Sequence, residues 1–450
     1  MKIVIIGTGY VGLVTGTCLA DLGHDVICID KDKKKITSVN NCQSPIFEDG
    51  LDDMLERVVS SGKLRASSNL TQSINNADVT MIAVGTPFDG KIIDLSFIKE
   101  ATMEIAEALD FAPDYHVVCV KSTVVPGTTK NVIGPILEKY SNRKIGHDLG
   151  LTMNPEFLAE GTAIKDFQCP DRIVIGSNDN KAAKKIKELY QSYEGTEIFF
   201  TGLSTAEMIK YTANSFLASV ISFTNELANL CSKVEEIDAV EVMRGVHADR
   251  RLSPLINGKR ITPGLMSFLH PGTGFGGSCF PKDVNALISF GENLGNPMPI
   301  LNAVMETNDH QPSVTLDIIK DELGTLADKH IAILGLAFKP GTDDVRESPS
   351  LKIIKNIIDQ GGSVFAHDPI AIESMKKYFN HPNLYYCLNL NETIKNVDAI
   401  VLATSWPEYE SLDKILDNKM VPVIDGRRVL NKSDFNCYHG IGLNGVVQRS

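Results

Sequence analysis

The stretch Lys2-Ile3-Val4-Ile5-Ile6-Gly7-Thr8-Gly9-Tyr10-Val11-Gly12 decides the fold. A short β-branched run ends on Gly7, and Gly7, Gly9 and Gly12 form the pattern GxGxxG before a helix-like stretch. Strand, glycine turn and helix in that order open a doubly wound α/β sheet. The spacing has a mechanism. Gly7 permits the tight turn, Gly9 lets the backbone approach a pyrophosphate, and Gly12 allows close helix–sheet packing. The helix N-terminus then attracts the phosphates. Asp30 closes the next apolar run, 18 residues beyond Gly12, where a carboxylate accepts from ribose hydroxyls. A carboxylate there repels a 2′-phosphate, so the expected cofactor is NAD rather than NADP.

Further short apolar runs follow at Val79–Val84, His116–Val120 and Arg172–Ile175, after Asp25–Ile29. Each leads into a turn signal or a helix-like stretch, as in a parallel sheet covered by helices. From Ser204 to Val234 the chain has neither Gly nor Pro, and its apolar residues recur at helical spacing. One long connecting helix is expected, with Ser204 in position to cap it. A Gly/Pro-rich section then runs from Arg244 to Pro281. At His330 the α/β alternation resumes in HIAILGLAF, SVFAHDP, VDAIVLAT and PVIDG, with Asp368 placed after a strand as Asp30 is. The fold class read from this is α/β: two doubly wound Rossmann-like domains joined by a central helical domain with one long helix. The expected boundaries are 1–200, 201–325 and 326–450.

The 450 residues carry 44 Lys plus Arg against 56 Asp plus Glu, a net charge of −12. So acidic a chain is poorly suited to wrapping nucleic acid, where cations must neutralise phosphates. No apolar run approaches the ~18 residues of a membrane span. The opening apolar run is too short for a signal peptide, so a cytoplasmic location is expected. Nine cysteines with no CxxC pair argue against a disulfide framework or a zinc site. No metal is expected.

One cysteine stands apart. In Gly274-Phe275-Gly276-Gly277-Ser278-Cys279-Phe280-Pro281-Lys282-Asp283, glycines lead into a thiol followed by Lys and Asp. If Cys279 starts a helix, the helix dipole and Lys282 would activate the thiol, and Asp283 would share its face. Lys210 and Asn214 also share a helix face, where a desolvated Lys could stabilise an alkoxide or simply be an edge residue. Glu156 and Glu160 are likewise four apart, the spacing of an ordinary solvated helix face. Val84–Pro87 and Lys121–Thr123 follow strands that end at the same crevice. Lys339, Arg346, Arg427 and Arg428 cluster near later strand ends, suited to a diphosphate or to plain surface charge.

GxGYVG, VGTP, STVVPGT, NPEFLAEGTA, AEMIKYTAN, GFGGSCFPKD, LGLAFKPGTDDVRESPS and DGRRVL occur in this order over nearly the whole chain. In them the sequence resembles the nucleotide-sugar 6-dehydrogenases, the UDP-glucose/GDP-mannose dehydrogenase family. The resemblance implies a four-electron oxidation of a sugar C6 alcohol to a carboxylate with two NAD and one water. It makes Cys279 the nucleophile that holds the aldehyde as a thiohemiacetal and then a thioester. Lys210 and Asn214 would steady the C6 oxygen, Asp283 would be an acid/base group, and Glu156 with Thr123 would serve thioester hydrolysis. Implied cofactor contacts are Gly7, Gly9, Tyr10, Val11, Gly12, Asp30, Lys35, Thr86, Ser122, Thr123, Glu160, Lys282 and Arg346. Implied sugar-nucleotide contacts are Glu156, Phe157, Leu158, Glu160, Lys210, Asn214, Arg251, Phe268, Leu269, Gly276, Phe338, Lys339 and Arg427. Arg251, in ADRRLSP, matches an arginine supplied by a partner subunit, implying a homodimer or dimer-based oligomer. The expected substrate is UDP-glucose, with GDP-mannose or another nucleotide sugar as the alternative. The stretch from Arg251 to Phe268 is longer than in many members. Ser278 fits enzymes of UDP-glucose or GDP-mannose. Cys279, Lys282 and Asp283 together argue against a non-catalytic nucleotide binder.

Overall fold

Lys2–Ile6 is the first strand of an eight-stranded sheet in the computed structural model, which describes residues 1–193, 195–417 and 419–447. The chain packs as two compact units, Met1–Ala213 and Asn214–Ser450. In the first, the strands are β1 (Lys2–Ile6), β2 (Asp25–Ile29), β3 (Leu64–Ser67), β4 (Val79–Ile82), β5 (His116–Val120), β6 (Leu149–Met153), β7 (Arg172–Ser177) and β8 (Glu197–Thr201). Their order is β3-β2-β1-β4-β5-β6-β7-β8, parallel except where β7 runs against β6. Side chains alternate across the sheet. Ile3 and Ile5 of β1 therefore enter one apolar core, and Val4 and Ile6 enter the other on the opposite face. Both faces are covered, so the strand reads as a continuous apolar run.

In the second unit, β9 (Leu255–Ile256) and β10 (Lys259–Arg260) form a small antiparallel hairpin. A six-stranded parallel sheet follows: β11 (His330–Leu334), β12 (Ser363–His367), β13 (Leu384–Tyr386), β14 (Ala399–Leu402), β15 (Val423–Asp425) and β16 (Tyr438–Gly440). Its order, β13-β12-β11-β14-β15-β16, repeats the 3-2-1-4-5-6 winding of a Rossmann-type sheet. Ile331 and Ile333 pack on one face of β11, and Ala332 and Leu334 on the other.

The long helix runs from Leu203 to Cys231, and the boundary between the units falls within it. It starts one residue ahead of Ser204. The Gly202 carbonyl accepts from the Ala206 N–H, so Ser204 sits inside the first turn and does not cap it. It stops short of Val234 because Lys233 and Val234 bond three residues back, tightening the last turn. The section from Arg244 to Pro281 begins in the last turn of a helix, Ala239–His247, and ends in the first turn of the helix Phe280–Asn293; between them it is irregular as expected, apart from the hairpin and one 3₁₀ turn at Gly264–Ser267.

Candidate active site

The first sheet presents its carboxyl edge at the ends of β1, β2, β4, β5 and β6. Gly7 has φ +99°, and a Cβ there would lie 2.8 Å from the Ala83 carbonyl oxygen. A Cβ on Gly12 would lie 1.9 Å from the Gly7 oxygen, so the helix can cross this close only with glycine. Gly9 differs: nothing lies within 4 Å of the place where its Cβ would be. The helix Tyr10–Asp21 begins there with no side-chain cap and no acidic residue in its first turn. Its first N–H groups therefore suit an external anion. Asp30 accepts from the Thr8 N–H at 2.9 Å, from the Thr8 hydroxyl, and from the Asp32 N–H at 2.9 Å. Burial alone would raise its carboxyl, but these bonds and the charge of Lys35 hold it below the usual range. An open glycine, an uncapped helix start and an ionised Asp30 fit the pyrophosphate and ribose of NAD.

A second carboxylate braces this turn. Buried Glu48 accepts from the Tyr10 hydroxyl, from Gly161 N–H at 2.7 Å and from Ala163 N–H at 2.6 Å. It ties the helix start to the loop that carries Glu160. Sequence reasoning missed Glu48, because the loop it serves lies over a hundred residues away. Val11 packs at the margin of the same core.

After β4 and β5, the Thr86 hydroxyl donates to the Thr123 carbonyl at 2.7 Å, and the Ser122 hydroxyl donates to the Val84 carbonyl at 2.7 Å. These bonds fix the two strand ends to each other. Buried Glu207 accepts from Gly127 N–H at 2.5 Å and Thr129 N–H at 2.7 Å, pinning the loop beyond Thr123 to the long helix.

Residues 154–159 form an extended loop, not a helix, so Glu156 and Glu160 do not share a helical face. Glu156 is buried 2.9 Å from Lys210 Nζ, the two side chains being 6% and 5% exposed. It also accepts from Leu158 N–H at 2.7 Å. Burial would raise the Glu156 carboxyl, but Lys210, the Leu158 N–H and Lys121 hold it down. Phe157 lies between two cations, 4.0 Å from the Arg172 guanidinium and 5.5 Å from Lys210 Nζ. In the sequence Lys121 stands out only as part of its strand end. Its amine donates to Asn154 Oδ1 at 3.1 Å, and burial pushes it down to about 8. The first unit thus holds an ionised carboxylate facing two buried lysines.

Asn214, one turn beyond Lys210, belongs to the second unit. It donates to Asp283 Oδ2 at 2.6 Å, and Lys282 Nζ lies 2.6 Å from Asp283 Oδ1. Both oxygens of this 1%-exposed carboxylate are therefore engaged. The charge expected to act on the thiol, that of Lys282, is balanced by Asp283. Cys279 is the N-cap of the helix Phe280–Asn293, accepts from Asp283 N–H at 2.8 Å, and is partly exposed. Ser278 Oγ stands 3.7 Å from its sulfur. Proline in the first turn supports a helix start here.

The loop before Cys279 is held by amide side chains. Asn225 accepts from Gly272 N–H at 2.8 Å, Gln311 donates to the Gly272 carbonyl at 2.8 Å, and Asn308 accepts from Phe275 N–H at 2.7 Å. A Cβ on Gly276 would lie 2.2 Å from the Glu347 carbonyl oxygen, and one on Gly277 2.8 Å from the Phe338 ring. Here the glycines serve the protein's own packing, since the space beside them is filled. Lys339 Nζ lies 5.7 Å from the Phe338 ring centre. Arg427 donates to the carbonyls of Ala403, Gly274 and Phe338 at 2.6, 3.3 and 3.2 Å, and burial pushes it down to about 10. Arg346 forks onto Asp344, and its carbonyl accepts from Gly277 N–H at 2.9 Å. Arg428 does not join an anion cluster. It grips Asp238 with bonds of 2.8 and 2.9 Å. Arg251 is 89% exposed and forks onto Asp249. Leu269 is buried with Met243 and Met266, and Phe268 is half-buried beside it.

Three family models cover most of the chain. They are the NAD binding domain (residues 1–194), central domain (204–310) and UDP binding domain (332–432) of the UDP-glucose/GDP-mannose dehydrogenase family. The UDP-glucose 6-dehydrogenase AglM of Haloferax volcanii is 40% identical over 98% of this chain and 100% of its own. The UDP-glucose 6-dehydrogenase TuaD of Bacillus subtilis is 39% identical over 99% of this chain and 94% of its own. A solved UDP-glucose dehydrogenase from Pyrobaculum islandicum superposes with TM-score 0.89 at 34% identity, over 98% of this chain and 97% of the other.

Proposed function

The chain belongs to the UDP-glucose/GDP-mannose dehydrogenase family, and from that premise we propose that it oxidises UDP-glucose twice at C6, giving UDP-glucuronate. It is an NAD-dependent oxidoreductase by family and by its first crevice. The observation that carries the proposal is a partly exposed thiol, Cys279, at a helix start one turn before Asp283, whose carboxylate is fixed by Asn214 and Lys282.

The balance is one alcohol, two NAD⁺ and one water in, and one carboxylate, two NADH and three protons out. NAD, when bound, supplies the hydride acceptor. The chain's own residues do the rest. Lys210 and Asn214 steady the C6 oxygen as its proton leaves. Cys279 adds to the aldehyde carbon, and the thiohemiacetal loses a second hydride to become a thioester. Glu156, with Thr123, activates the water that cleaves it and returns the thiol. Asp283 exchanges protons beside the sulfur. The match to a UDP binding domain and two relatives bearing the UDP-glucose name favour that substrate over GDP-mannose. Arg427 and Lys339 would meet the diphosphate. The functional division proposed remains 1–200 for cofactor, 201–325 for catalytic loop and pairing, and 326–450 for sugar nucleotide.

Cys279→Ser should form no acid, while wild type does. Acid formation by that variant at the wild-type rate would overturn the thioester route.

The proposed assembly is a homodimer or an oligomer built from dimers. Phe216 and Phe223 are each 55% exposed and Leu230 62%, and they recur every seven residues along the long helix. That spacing keeps all three on one face. Phe223→Glu should halve the mass in sedimentation, and an unchanged mass would refute pairing through this face. Among the described residues no helix is long and apolar enough to cross a membrane. We place the enzyme in the cytoplasm, in keeping with a sequence of nine cysteines and no CxxC pair.

A further inference from the structure

Outside the catalytic residues, the second unit brings together a carboxylate, a thiol and an imidazole that the reaction does not use. Glu322 stands in the last turn of the helix Pro299–Leu323. Cys437 and His439 are alternate residues at the edge strand β16, so both project toward one face. Their donor atoms converge. Cys437 Sγ is 3.6 Å from Glu322 Oε1 and 3.8 Å from His439 Nε2, and His439 Nε2 is 3.1 Å from Glu322 Oε2.

We propose that Glu322, Cys437 and His439 form a site for a borderline divalent cation such as Zn²⁺, clamping the helix end to the sheet edge.

Geometry separates this from a nucleophilic triad. There the imidazole uses one nitrogen toward the thiol and the other toward the carboxylate. Here one nitrogen, Nε2, faces both partners. Three donors around one point is the pattern of a metal site. Zinc bonds of about 2.0–2.3 Å in a tetrahedron put donors about 3.4–3.6 Å apart. The observed 3.8 Å between sulfur and nitrogen, and the 3.6 and 3.1 Å to Glu322 Oε1 and Oε2 in turn, lie within a few tenths of that, and one donor atom from each residue lies within 4.8 Å of the other two. Three protein ligands leave a fourth position for water.

The electrostatics agree. The carboxyl end of a long helix carries partial negative charge, and a second acid, Asp321, lies near His439. Lys320, two residues before Glu322, is the cation on the same turn. Burial favours neutral His439, the form that binds metal. Burial, with Glu322, also pushes the Cys437 thiol up to about 11. Without a metal the thiol therefore stays protonated. Binding would form S–metal, N–metal and O–metal bonds and release the thiol proton to solvent. Glu322 remains partly exposed at 27%, which leaves an entry path. No zinc signal is readable in the chain because Glu322 stands 115 residues before Cys437 and only one of the three is a cysteine.

The test is a Co²⁺ titration of the full-length Cys279→Ser chain, which lacks the catalytic thiol. One equivalent should raise a thiolate-to-cobalt charge-transfer band that Zn²⁺ abolishes. Adding Cys437→Ser should remove the band. Glu322→Gln should keep it and weaken binding at least about tenfold, since even loss of an outer-shell partner costs that much. Chelator should lower the Tm of the metal-loaded chain and leave that of the Cys437→Ser chain unmoved. No band at saturating Co²⁺, or a band that survives Cys437→Ser, would overturn the site.

Discussion

Two sheets in this molecule wind the same way and end differently. In the first, β1 passes through Gly7-Thr8-Gly9 straight into a helix. In the second, β11 passes through residues 335–348 before the helix Pro349–Asp359 begins. The acids that follow the second strand of each sheet differ as well. Asp30 is met by two residues, Thr8 and Asp32, and sits at a crevice edge. Asp368 accepts from the N–H groups of Leu336, Ala337, Ile370 and Ala371 and from the Trp406 indole. In the proposed reading one acid is kept for a ligand, while the bonds of the other hold the long loop in place. Shared topology therefore does not carry shared chemistry; the turn after the first strand decides.

The comparison can be broken at its acids. Asp368→Asn should cost about 3 kcal/mol in unfolding free energy, since charged hydrogen bonds to buried N–H groups are lost. Its KM for NAD should stay unchanged. Asp30→Asn should instead raise the KM for NAD about tenfold with a smaller loss of stability. Denaturant melts and steady-state kinetics on both variants check this, and matching profiles would erase the distinction.

The buried cations sharpen it. Lys121 in the first unit is pushed down to about 8 and Arg427 in the second to about 10, so only the lysine titrates near neutrality. Below pH 8 the folded state holds Lys121 charged at a cost. The unfolded chain keeps its proton to about 10.4, so this group's contribution to stability rises with pH between those values. Lys121→Met should stabilise the chain by about 3 kcal/mol at pH 7, with the gain shrinking toward pH 10. Asn154 keeps the Tyr190 hydroxyl as donor in that variant. Melts at several pH values would read the effect, and destabilisation at pH 7 would contradict it.

The smallest expected effect concerns Gly9. Nothing fills the space beside it, so Gly9→Ala should leave Tm unmoved and raise the KM for NAD about tenfold. A fall in Tm without a change in KM would mean that the opening serves packing after all.

Much of this was legible in the chain. The runs at β1, β2 and β5 match strands residue for residue because strands buried on both faces are continuously apolar. Strands β3, β8, β13 and β16 escaped notice, lying at the sheet edges with polar residues among them, and so did the buried β6, whose run Leu149-Gly150-Leu151-Thr152-Met153 is interrupted by a glycine and a threonine. The hairpin around Asn257-Gly258 carried a turn signal that went unread; both residues have positive φ. Among the candidate site residues, motifs pointed to Cys279, Lys210 and Asp283. They did not give Glu48, Glu207 or the pairing of Lys282 with Asp283, because those depend on contacts between distant segments or on one rotamer. Arg428 looked like its neighbour Arg427, yet a φ of +54° precedes its turn to Asp238.

The most direct test of the central claim is the number of NADH formed per sugar nucleotide consumed, with UDP-glucose and GDP-mannose run in parallel. Two per UDP-glucose, with no turnover of GDP-mannose, is the expected result. One per UDP-glucose would contradict the covalent double oxidation at Cys279, and two from GDP-mannose alone would contradict the substrate.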